Sequence, residues 1–335
     1  MKVIFLVSFV EEFFRSLLQI EDHSLFVELE YFGRIRFVFS LAVSTATTTT
    51  TELTPIDPSE VSILVILKDL SASYLTSGDG WSKVTAKVSA PSNDYTEYAK
   101  HALVKGELHI FGGYTDRRKI AKLNGCALTE LSARLNVDRD QHSEALSIQS
   151  GSQALICFNY AKSKSCEIFD GSSAVTTFES TYTHSLGGLG FYQNQPATVG
   201  CVRNKHKKAE RLTSTGWVAL PDHPEALFGH SSIGLDDNSM MLLGGLIGST
   251  FQTGIWKIKE NVWSRIGELT QRANHGSAIY TGRSIYHFSG NASPYPNHRI
   301  DLTADEEIKE VVRIGNHASA YHYPVLLVTE NNRCL

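Results

Sequence analysis

Six histidines recur along this chain at nearly constant spacing: His101, His142, His184, His230, His275 and His317, in steps of 41, 42, 46, 45 and 42 residues. Imidazoles gathered on one axis could hold a divalent transition metal, for which a neutral ring nitrogen is a good ligand. A structural hydrogen-bonder repeated once per unit would need no metal and no cofactor, and spacing alone leaves both readings open. The five cysteines show no CxxC and no Cys/His cluster of zinc-site spacing. Cys157 and Cys166 stand at the facing ends of two short apolar runs. Antiparallel strands bring such positions to about 5.5 Å between Cα atoms, within reach of a disulfide. The pairing of Cys126, Cys201 and Cys334 stays open.

A second candidate chemistry is electrostatic. RNKHKKAER, residues 203 to 211, carries five Lys or Arg beside His206, and YTDRRK supplies Arg117 and Arg118. The chain as a whole has a formal net charge of -4, so a local basic run is not explained by composition. Such a run is either a solvated face or a site for an anionic partner, an acidic protein surface or a sulfated glycan. Nucleic acid is not expected, because a phosphate backbone selects strongly basic surfaces. Asn291-Ala-Ser293 is a glycosylation sequon, followed by Pro294. No GxSxG, HExxH or P-loop pattern occurs.

The elements that must position these residues repeat with the histidines. After each His comes a small or apolar strand, a turn, and a second apolar strand, which ends in Gly-Gly at Gly112-Gly113 and again at Gly244-Gly245. A third strand follows (KIAKL, CEIF, AERL, GIWKI, HRIDL), and a fourth opens near Trp81, Trp217 or Trp263. Four short strands in roughly 43 residues make a propeller blade, which must stack on its neighbours to bury both faces. Double glycine permits positive φ and lets another backbone approach, while a Trp on an outer strand can fill the gap to the next blade. Five units start near His101, His142, His184, His230 and His275. The sixth is expected from residues 61–88 closed by residues 317–330, with HASAYHY as its inner strand and PVLLVTE left over. Seven blades is the alternative count.

Residues 1–55 differ from the rest. MKVIFLVSFV is signal-like without a small-residue cleavage site, RIRFVFSLAVSTA lies deep for a signal, and TATTTTTELTP reads as a Thr-rich linker or glycosylated stalk. Neither apolar run reaches the roughly 20 residues that span a bilayer, so no membrane span is expected. Residues 56–335 form the propeller. The composition, 42% hydrophobic and 20% charged with 25 Gly, suits an all-β globular protein.

GHSSIGLDDNSMMLLGG, GIWKI and the following VW of residues 229 to 263, with weaker copies across residues 61 to 329, resemble the kelch-repeat family. The resemblance implies a six-bladed kelch-type β-propeller with four-stranded blades, acting mostly as a protein-binding or scaffolding module. It implies structural roles for the six histidines. Copper-radical oxidases on kelch-like propellers use a crosslinked Tyr–Cys pair, two His and a second Tyr; no local motif marks such a set here. The expectation is a non-enzymatic, secreted binding propeller, with a cytoplasmic location as the alternative. Its runner-up is a carbohydrate-active enzyme of sugar oxidase or epimerase type. In propellers the connections between second and third strands share one end face with those between blades. The expected binding face is therefore Tyr114, Arg117, Arg118, Tyr160, Lys205, Lys207, Lys208, Tyr295 and His298.

Overall fold

The computed structural model describes residues 27–31, 35–39, 55–162, 164–330 and 334–335. The signal-like MKVIFLVSFV and residues 45–54 of the Thr tract lie outside them. Val27–Tyr31 and Ile35–Phe39 pair as an antiparallel hairpin in a unit separate from the rest.

From residue 55 onward the described residues form an all-β propeller of six four-stranded antiparallel blades in a ring, with two short 3-10 turns as the only helical elements among them. The first blade comprises Lys100–Val104, Glu107–Phe111, Ile120–Asn124 and Ala127–Glu130; the second, Glu144–Ile148, Gln153–Cys157, Cys166–Phe169 and Ala174–Thr176. The third runs from Leu189–Tyr192 to Gly216–Leu220, and the fifth from Ser277–Thr281 to Ile308–Asn316. The fourth, Ser231–Gly234 to Val262–Ala273, carries two extra two-residue strands, Leu227–Phe228 and Leu246–Ile247.

The sixth blade joins distant parts of the chain. Val325–Thr329 is its inner strand, paired with Ser62–Ile66, which pairs in turn with Tyr74–Ser77 and then Lys83–Thr85. The inner strand is thus PVLLVTE, not the expected HASAYHY, which forms the connection before it. The reason is pairing: Leu326 and Val328 lie opposite Val65 and Ile63, a match that no local pattern announces.

Each blade-to-blade gap is filled by its own apolar cluster, because both faces of a blade must leave water. SILVI at 62–66 shows this locally. It is buried along its whole length, with Leu64 and Ile66 packed among Leu108 and Ile110 of the first blade. Ile63 and Val65 pack among Tyr286 and Phe288 of the fifth. Trp217 does the same between the second and third blades, among Leu155, Phe158 and Leu189. Trp263 is partly buried yet packs against the cluster between the third and fourth blades and donates its indole N–H to the Pro221 carbonyl, whereas Trp81 is 91% exposed, so the expected Trp packing fails at Trp81 alone. Trp81 precedes its short outer strand instead of lying in it.

The double glycines have the expected cause. Gly112 and Gly244 take φ of +63°, and a Cβ on either would lie 2.2 or 2.3 Å from the carbonyl oxygen of Arg139 or Ala273. The next residues, Gly113 and Gly245, donate their N–H groups to those same carbonyls, tying the second strand to the connection after the first blade and to the end of the outer strand in the fourth.

A second set of stitches circles the axis. Leu186 donates to the His142 carbonyl, Gly229 to Leu186, His275 to Gly229 and Tyr323 to His275, at 2.8–3.2 Å. Leu186, Gly229, His275 and Tyr323 all have left-handed φ, and Tyr98 of the first blade does too. This left-handed residue is the true marker of the repeat. The six histidines sit at different offsets from it, and His317 lies in the connection ahead of His322 and Tyr323.

Candidate end-face site

The connections between second and third strands meet those between blades at one end of the ring. Arg139, in the connection between the first two blades, is fully buried and paired with the equally buried Glu167 at 2.9 Å. Its guanidinium also donates to the carbonyls of Phe158 and Ser165. Burial alone would drive a guanidinium towards its neutral form; Glu167 opposes that by favouring the charged one. The Cys157–Cys166 disulfide closes the base of the same 158–165 loop, as the facing positions predicted. Asn159 ties the loop to the Asp138 carbonyl.

Between this loop and the 112–119 loop lies a groove of about 640 Å³ lined by Arg117, Arg118, Asp138, His142, Tyr160 and Lys162. Tyr160 is 53% exposed. Its ring lies 5.1 Å from that of His142, and the Arg203 guanidinium sits 5.0 Å from its centroid while donating to its carbonyl at 2.8 Å. Arg118 is paired with Asp138 at 2.7 Å, and His142 with Asp140 at 3.1 Å. Among the described residues neither Arg117 nor Lys162 forms an ion pair, although Arg117 helps to hold the Asp140 carboxyl low; of these two cations sequence singled out Arg117 and missed Lys162.

The other expected residues distribute unevenly. Tyr114 is 62% exposed and meets the edge of Tyr98, which packs on His322; that ring in turn stacks on His275. Lys205 is exposed on the third blade. Lys207 is spent on the Pro224 carbonyl and Lys208 on Asp222 at 2.8 Å. Tyr295 is half-buried in the corresponding loop of the fifth blade, and Asn291 of the sequon is likewise half-buried there. His298 is a correction. It is a fully buried strand residue, facing His287 across the Ser284–Phe288 pairing with ring centroids 5.9 Å apart, and offers nothing to the end face. Arg203, Asn159 and Lys162 are the members that sequence reasoning missed. Arg203 stood inside the quoted basic run, but its seat on Tyr160 of the preceding blade depends on how the blades stack.

The repeat histidines bond in several ways. His101 Nε2 accepts from the Leu326 N–H at 3.2 Å, His184 bridges the Gly200 carbonyl and Glu210, and His317 meets the Tyr74 hydroxyl at 3.2 Å. No three His, Cys, Asp or Glu among the described residues converge as a metal-binding group. Cys126 and Cys334 form a second disulfide, leaving Cys201 as a buried free thiol. Two disulfides suit an oxidising, extracellular setting. Among the described residues no helix is long and apolar enough to cross a membrane.

The fold is shared with solved structures at low identity. "Structure of YjhT" matches with a TM-score of 0.62 at 14% identity, covering 77% of this chain and 98% of that one. A fungal alcohol oxidase of the AA5 family, solved with copper, matches with a TM-score of 0.53 at 12% identity, covering 80% of this chain and 66% of that one. No family model matches the chain, and no curated protein does. The likeness is one of fold, a six-bladed propeller. The kelch resemblance rests on the residues quoted above.

Proposed function

We propose that this chain is an extracellular binding propeller that takes an acidic protein surface on its end face, across the groove between the first two blades. The observation that carries this reading is Tyr160. It is an exposed aromatic residue seated between His142 and Arg203, on a loop pinned by Arg139 and a disulfide, beside the unpaired Arg117 and Lys162. Rigid exposed aromatics serve as interface anchors, and uncompensated cations at the rim speed the encounter with an anionic surface.

The test is affinity capture from extracellular fluid with the native chain and with Tyr160→Ala/Arg117→Glu/Lys162→Glu as the paired control. A protein retained by the native chain alone supports the reading. Retention of the same set by both, or displacement of everything by a sulfated glycan that itself binds, overturns it. The alternative, a carbohydrate-active enzyme, draws on the likeness to the alcohol oxidase, which extends to fold only. Turnover in a screen of sugars and alcohols with added copper would replace the binding reading with that one.

A further inference from the structure

The inner strands of all six blades surround an axial cavity of about 430 Å³, within the range of about 300–1,000 Å³ that small-molecule sites occupy. Its deep end is built from buried polar groups of the fourth and sixth blades. The hydroxyls of Ser231 and Tyr323, each more than nine-tenths buried, have no hydrogen-bond partner. The Ser232 hydroxyl is likewise unpartnered, and the ring of the buried His230 has only a poorly aligned contact with the Gly187 backbone. All four residues line the cavity. The opposite end meets solvent where Leu103 and Val328 are 40% and 39% exposed.

The charged groups in this cavity are already matched. Lys100 Nζ lies 3.3 Å from Glu144 and over the face of the Tyr323 ring. An anionic ligand would find no free cation, and a cationic one no free carboxylate. An apolar ligand would leave three hydroxyls and an imidazole nitrogen unsatisfied, each at the cost of its desolvation. What the cavity lacks is a set of neutral donors and acceptors in an envelope with apolar walls. Burial holds His230 neutral, its pKa pushed down to about 3, and with one ring nitrogen towards the Gly187 backbone the ring has its other nitrogen to offer.

We propose that the axial cavity binds a small, uncharged, polyhydroxylated molecule of monosaccharide size, with the hydroxyls of Ser231, Ser232 and Tyr323 and the His230 ring reading its hydroxyl groups. The site lies inside the ring and does not depend on the end-face reading. It asks for binding alone, without turnover.

The experiment uses the full chain and a panel of glucose, galactose and myo-inositol, with gluconate and glucosamine as charged counterparts. Binding is read by ligand-observed NMR and calorimetry up to about 10 mM, where millimolar affinities are measurable. The expected result is saturable binding of at least one neutral compound, tighter than its charged counterpart. It should weaken about tenfold in Ser231→Ala/Ser232→Ala, as the loss of two hydrogen bonds requires. Tyr323→Phe keeps the ring beneath Lys100 and removes only an unpartnered hydroxyl; it should melt no lower than the native chain yet bind more weakly. It keeps the test open if the double variant fails to fold. Arg117→Glu should leave binding unchanged, which separates this site from the end face. No saturable binding of any neutral compound, a preference for gluconate or glucosamine, or equal binding by native chain and Tyr323→Phe each overturns the proposal.

Discussion

Arg139 and Glu167 lie 2.9 Å apart with both side chains fully buried, and through them the connection between the first two blades grips the third strand of the second. Removing one partner of a buried pair strands the other without its counter-charge, which costs about 3–5 kcal/mol. Arg139→Ala is therefore expected to lower stability by that amount in urea unfolding and to loosen the loop that carries Tyr160. Arg118→Ala breaks an exposed pair with Asp138 and should change stability by less than about 1 kcal/mol. Equal losses for the two variants would remove Arg139 from this role.

The two disulfides should differ in weight. Cys126–Cys334 closes a separation of 208 residues and Cys157–Cys166 one of 9. In the chain-entropy picture the longer loop constrains the unfolded state more, by about 5 kcal/mol against about 3. Cys126→Ser/Cys334→Ser is expected to lower the unfolding midpoint more than Cys157→Ser/Cys166→Ser. The reverse order in chemical denaturation would show that local geometry, not ring closure, sets their contributions.

Three tryptophans that look alike in sequence should respond differently to truncation. Trp217, 9% exposed and donating its indole N–H to the Phe178 carbonyl at 3.1 Å, should cost about 3–5 kcal/mol on replacement by Ala. Trp263→Ala should cost less, since that ring is half in water. Trp81→Ala should stay within about 0.5 kcal/mol. A large loss at Trp81 would contradict its exposure.

Stability should fall with acid well above the carboxylate range. Burial, the leading cause in each, pushes His230, His275, His287 and His317 down to about 3. The unfolded chain titrates these groups near about 6.5. Around and below the upper value it binds more protons than the folded chain, so stability is full about a unit above pH 6.5 and declines as pH falls through 6.5 towards 3. Urea midpoints at pH 7.5, 6.5, 5.5 and 4.5 are expected to be highest at the first, slightly lower at the second and to drop more steeply after. A flat profile to pH 4.5 would show that these rings charge in place.

End-face charge reversal should separate paired from unpaired cations. Arg117→Glu/Lys162→Glu is expected to weaken partner binding more at low than at high ionic strength, because exposed charges are screened over about 8–10 Å in physiological salt. Arg118→Glu/Lys208→Glu removes cations already neutralised by Asp138 and Asp222, so its salt dependence should be shallower. Equal slopes would make the groove an ordinary solvated face.

Much of this architecture was legible because its causes are local. Gly112 and Gly244 advertise a close backbone approach by residue type, and Cys157 and Cys166 advertise a hairpin by spacing. The left-handed position that organises the ring was not legible, because Tyr98, Leu186, Gly229, His275 and Tyr323 share a backbone angle and no chemistry. Histidine spacing followed the period but coincides with the position only at His275. The groove was half legible: Arg117, Arg118 and Tyr160 were readable as loop residues, whereas the salt bridges that silence Arg118 and Lys208, and the burial of His298, arise from contacts between segments.

The pairing of Val325–Thr329 with Ser62–Ile66 has a consequence for biosynthesis. A ribosome delivers residues in order, so Ser62–Ile66 emerges long before its partner strand exists. Through the synthesis of five blades that strand carries an unpaired edge and apolar side chains on both faces, a template for pairing with other chains. The nascent protein therefore needs shelter for the whole of its translation, and the ring can shut only once the final strand is free to reach back.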